Sequence, residues 1–208
     1  MYRWFLGGVG VLATVWVIHV VLTTFVFDPT GAHILAHKHL PSQFHHTMWA
    51  VVLGLHVVCS SIAMICGILG FLRRLFPRLQ TIHRANGRIY IVSVLIAALS
   101  AGYLAPFATG GEWTSLGFNV LEAAWVLTTV MAYLRIRRKS TERHVAWMIR
   151  SYSLAYVNTA VHIWLVILHG AFSIPYDRAY TLSVWFAGAA VLLIAEGIVR
   201  RGPLRRHG

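Results

Sequence analysis

Twelve histidines stand out in this 58% apolar chain of 208 residues, and five of them fall in one short stretch, AHILAHKHLPSQFHHTMW: His33, His37, His39, His45 and His46. Neutral imidazole ligates haem iron, copper or zinc and loses that ability once protonated. His33 and His37 are spaced i, i+4, so a short interfacial helix would set both on one face, with His39 beyond it and His45 and His46 at the mouth of the next helix. That spacing suits a divalent-metal site for copper or zinc. No carboxylate or cysteine lies between Ala32 and Trp49 to close such a site, so a loop of solvated histidines is the alternative.

A second set lies inside apolar runs, where an ionisable group costs about 2.5–3.5 kcal/mol by insertion scales and needs a partner or a purpose. His19 stands sixteen residues beyond Arg3 and His56 seventeen before Arg73, so each sits about 24 Å from the basic edge at 1.5 Å per residue. His162 is twelve residues past Arg150, roughly 18 Å in by the same rise, and His169 is two turns further. Glu122 is expected about one turn inside the outer end of its helix. His45, Trp49, Val52, His56, Ala63 and Gly70 share one helical face, and His144, Ser151, Ala155, Asn158, His162 and His169 share another. Two imidazoles from facing helices can clamp a porphyrin. The expected pair is His56 and His162 around haem b, with Glu122 or His19 bonding a ligand's free ring nitrogen or taking a proton from a quinol near the outer face. The plainer expectation is that each histidine only bonds a neighbouring helix.

The elements that must hold these residues are apolar runs of roughly 20 residues, enough to cross about 30 Å of hydrocarbon. Six are expected: Trp4–Phe27, His45–Leu72, Arg84–Phe107, Gly117–Ile136, His144–His169 and Tyr180–Val199. The sixteen arginines and two lysines fall mainly in alternate connections, FLRRLFPRLQTIHRANGR, RIRRKSTERH and the tail RRGPLRRHG. By the positive-inside rule those connections and both termini face the cytoplasm, and the His-rich loop at 28–44 is extracytoplasmic. The first run lacks a small-x-small cleavage site and reads as a span. The expected fold is all-α, an integral bundle of six transmembrane helices forming one domain over 1–208, in the bacterial cytoplasmic (inner) membrane. Topology accounts for the charge of +12, and no aromatic platform is interleaved with it, which excludes nucleic acid. Cys59 and Cys66 lie about 10 Å apart along one helix, beyond disulfide reach. No CxxC, CxxCH, P-loop, GxSxG or HExxH pattern occurs.

HRANGRIY places His83, Arg84 and Arg88 at the start of the third span, and RHVAWMIRSY places His144 and Arg150 at the start of the fifth, with Trp147 as an interfacial anchor. This cytoplasmic cluster suits a second haem or an anionic headgroup, or simply a basic belt whose arginines snorkel to phosphates. HRANGRIY, the pair Gly110 and Gly111 before LGF, and RHVAWMIRSYSL together resemble a bacterial family of multi-pass membrane proteins classed as a domain of unknown function, DUF2306. The similarity runs from near Leu55 to Leu165 and implies the fold without naming a reaction. The sequence reading is therefore a haem-b electron-transfer protein exchanging electrons with quinone or a redox partner protein in the lipid bilayer. An extracytoplasmic copper or zinc protein and a non-catalytic assembly subunit are the alternatives.

Overall fold

A computed structural model describes residues 2–35, 44–72 and 78–201, and among them every regular element is helical. The order is α1 (Tyr2–Leu22), which ends in a π-helical turn at Thr23–Phe27, then α2 (Ala32–Leu35), α3 (His46–Leu72) and α4 (Arg78–Leu104). A 3-10 turn at Ala105–Phe107 leads to α5 (Glu112–Arg137), α6 (Thr141–Leu154), α7 (Val157–Leu165), a π-helical turn at Val166–Ala171 and α8 (Tyr176–Arg201). Five helices are long and apolar enough to cross a bilayer, and α6 with α7, bent by 41°, is the sixth candidate if the pair is one span. Leu99, Val166 and Leu193 are among the most exposed side chains, as lipid-facing surfaces require. The described residues fall into two compact units, one ending at Tyr103 and one beginning at Leu104.

In the first unit α3 packs on α1 and is tied to α4 by side chains that reach the facing backbone. Asn86 Nδ2 donates to the Cys66 carbonyl at 2.7 Å, and His56 Nδ1 bonds the Ala97 carbonyl at 3.0 Å. Asp28 accepts the Ala32 amide at 2.8 Å and so caps the short α2. Gly31, at φ 69°, lies flat on the buried Trp49 ring where a Cβ would collide. Cys59 and Cys66 are free thiols buried in this unit, as their spacing requires.

The second unit is built on two registers. α5 and α8 run parallel: Thr114 and Thr181 hydroxyls meet at 2.7 Å, Gly117 lies on Val184, and Gly188 lies on Leu121. Small residues at these crossings let the backbones approach, which is how helices associate in lipid. α6 runs antiparallel to both neighbours. Thr129 and Ser151 hydroxyls meet at 2.7 Å, His144 Nδ1 bonds the Ala132 carbonyl at 2.8 Å, and Arg150 forks onto Glu196 at 2.7 and 3.1 Å. Beyond the bend α7 continues along α8, with Trp164 against Phe186 and, in the π-helical turn, His169 against Tyr176.

Two expectations about the spans change. The fourth begins at Glu112 rather than near Gly117, because Gly110 and Gly111 take positive φ and Glu112 supplies the acidic first turn a helix N-terminus favours. Glu122 is thus ten residues into α5, about 15 Å along its axis, instead of one turn. The fifth is interrupted: at Ala155–Tyr156 the Tyr156 amide reaches back three residues, to the Ser153 carbonyl at 3.1 Å.

Candidate functional site

Two enclosed polar side chains of the second unit lie at the depth of the break in the fifth span. Glu122 precedes Thr129 by seven residues, two turns less about 20°, so it projects from the same face of α5 that meets α6. The parallel register with α8 sets Glu122 level with Gly188 and Ala189, one residue past the Leu121 crossing. Counting from Arg150 opposite Glu196 and from Trp164 opposite Phe186 sets Thr159 between Ala187 and Val191. Glu122 and Thr159 therefore share one depth, at the bend. Glu122 Oε2 and Thr159 Oγ1 are both enclosed and have no hydrogen-bond partner. Thr159 is buried although it points away from the α7 stripe of Val157, Val161 and Leu165. Two orphaned polar atoms at one depth mark a place built to receive a proton, a water or a small polar ligand.

From Glu122 toward the α6 N-terminus the seam closes. Trp125 is buried, the Thr129–Ser151 hydroxyl pair is fully enclosed, and His144 holds the Ala132 carbonyl. Below that, Arg150 stacks on Trp147 at 4.9 Å while it grips Glu196, which also takes Arg200 at 3.0 Å. Thr159 and the bend escaped the sequence reading. A threonine among β-branched neighbours carries no flag, and the break occurs in LAYVNT without proline or glycine.

The other residues singled out from the sequence are spread over both units. In the first, the His56 ring joins two helices: Nδ1 serves the Ala97 carbonyl and Nε2 faces the Ser60 hydroxyl at 3.5 Å. His19 is exposed on α1, 5.4 Å from the Trp16 ring. His45 is exposed, and His46 Nε2 donates to the Thr30 carbonyl at 2.7 Å, which pins the loop to the start of α3. His33 lies in α2, its side chain outside the described residues; His37 and His39 lie outside them altogether. His83 is half-buried and Arg84 and Arg88 are exposed on α4. In the second unit, His144 and Arg150 are half-buried on α6, His162 is exposed on α7, and His169 donates from Nδ1 to the Ile174 carbonyl at 2.8 Å. The expected His56–His162 pair draws on different units, as does the expected cluster of His83, Arg84 and Arg88 with His144 and Arg150.

The family model for DUF2306, described as a predicted membrane protein, matches residues 53–199. No curated protein and no solved structure matches the chain. The haem-b electron-transfer reading, with its copper or zinc alternative, is corrected by these findings. The family is one of unknown function, and among the described residues no three His, Cys, Asp or Glu side chains come together as a metal-holding group. His56 and His144 each bond a backbone carbonyl of a neighbouring helix through Nδ1, the helix-to-helix use of an intramembrane histidine.

Proposed function

The chain belongs to the DUF2306 family of predicted membrane proteins, and from that membership we propose that it is a multi-pass protein of the bacterial cytoplasmic membrane which takes up and releases a proton at Glu122. The observation that carries this reading is the enclosed, unpartnered Oε2 of Glu122, at the same depth as the equally unpartnered Thr159 hydroxyl and the bend of the sixth candidate span. A charge at mid-helix without a partner costs about 2.5–3.5 kcal/mol by insertion scales, so the resting group is the neutral acid. A threonine hydroxyl both donates and accepts, so it can hold either form of the carboxyl. Intramembrane carboxylates that face a protein interior serve proton relays, and broken helices line such sites because irregular backbone survives at membrane depth only where protein or water covers it. The step is a simple exchange: the Glu122 O–H gives its proton to water, leaving a carboxylate, and water returns the proton.

The test is proton entry into proteoliposomes under a potassium-valinomycin potential, read by an internal pH dye. Wild type admits protons, Glu122→Gln does not, and Thr159→Val is slowed. Equal entry through wild type and Glu122→Gln contradicts the reading.

A further inference from the structure

The end of the second unit where α5 and α8 finish and α6 begins is strongly basic. Residues 131–151 and 194–201 hold eight arginines and lysines against two carboxylates. One carboxylate, Glu196, is held by Arg150 and Arg200, and the other, Glu142, is exposed in the first turn of α6. Six of the eight cations are exposed, as side chains of a solvated belt are. Arg135 differs. It stands seven residues past the buried Thr128 and fourteen past Leu121, which lies on Gly188, so it projects from the α5 face that meets α8. The same parallel register sets it one residue beyond the level of Arg201, the end of α8. The antiparallel register of Thr129 with Ser151 sets it level with Val145, two residues from Arg143. Its side chain is half-buried, and Nε is enclosed without a hydrogen-bond partner. An arginine whose stem is held by the fold presents a fixed fork, the geometry that takes a phosphate in two hydrogen bonds. Tyr133, Leu134 and Ile136 flank it on α5 and are exposed. Cation and open apolar surface thus meet at one helix end, which suits a ligand with an anionic head and apolar chains.

We propose that this end of the second unit binds an anionic phospholipid, its phosphate on Arg135 between Arg143 and Arg201 and its acyl chains along Tyr133, Leu134 and Ile136. The site is separate from Glu122 and does not depend on the proton reading.

The experiment is native mass spectrometry of the full chain in detergent, with thermal unfolding of the same samples. The probes are dioleoylphosphatidylglycerol, dioleoylphosphatidylcholine and inorganic phosphate. Phosphatidylglycerol should be retained and raise the melting temperature. Phosphatidylcholine, whose phosphate is offset by its own ammonium, and inorganic phosphate should do neither. Arg135→Gln should weaken phosphatidylglycerol binding about tenfold, and Arg201→Gln, at an exposed position, about fivefold. Arg137→Gln removes the same charge from the opposite side of α5 and should change binding less than about twofold. Equal retention of the two phospholipids overturns the proposal. So does inorganic phosphate matching phosphatidylglycerol, which would make the ligand a free anion. Equal weakening by Arg135→Gln and Arg137→Gln overturns it too, because a diffuse basic belt responds in that way. If Arg135→Gln fails to fold, unchanged binding in Arg201→Gln contradicts the proposal.

Discussion

Glu122 shows what an intramembrane side chain reveals by what it lacks. Five of the six acidic residues have water, an arginine or a helix start at hand: Asp28 caps α2, Glu112 opens α5, Glu142 and Asp177 stand in first turns, and Glu196 holds Arg150 and Arg200. Glu122 has none of these for Oε2. The Arg150–Glu196 pair is only part-buried, so a double-mutant cycle with Ala at both positions should give a coupling of about 1 kcal/mol in detergent unfolding. Gly110 makes a harder demand: φ is 89°, and a Cβ would overlap the Thr114 and Thr181 hydroxyls and the Asp177 carbonyl. Gly110→Ala should therefore destabilise by about 1–3 kcal/mol, seen as a lower melting temperature, whereas Gly111→Ala, with open space around it, meets only the backbone strain. The histidines drew the sequence reading toward ligand chemistry because imidazole in an apolar run is rare. The structure uses His56 and His144 as pins between helices, a use that spacing cannot distinguish from ligation.

Among the elements, the spans themselves were legible: five of the expected runs correspond to single long helices. The interruption of the fifth was not legible, since α6 and α7 keep an apolar pattern across Ala155–Tyr156 and only the hydrogen-bond ladder betrays the bend. Thr129 and Ser151 share one buried bond across the seam below the bend, so Thr129→Val and Ser151→Ala should each cost about 1 kcal/mol, and the double variant little more than either. Thermal unfolding of the four proteins decides it; full additivity would mean the hydroxyls act separately. Parallel packing of α5 on α8 depends on Gly117, where a Cβ would press on Val184, so Gly117→Leu should force the helices apart at a cost of about 1–3 kcal/mol.

For the whole molecule, orientation is the claim that the charge pattern makes. By the positive-inside rule the basic connection at 137–143 and the basic tail are expected to face the cytoplasm. Reporters fused after Gly208 and inserted near Lys139 should read cytoplasmic, and one near Ser42 should read external. An external C-terminus would contradict the orientation read from the basic connections. The central claim, that Glu122 rests inside the membrane as a neutral acid able to give up its proton, is tested most directly by dicyclohexylcarbodiimide, a membrane-soluble reagent for protonated carboxyls, with the adduct mapped by mass spectrometry. The account predicts a single adduct on Glu122 at neutral pH, fading as pH rises and absent from Glu122→Gln. No adduct on Glu122 at any pH, with the folded protein otherwise intact, would contradict it.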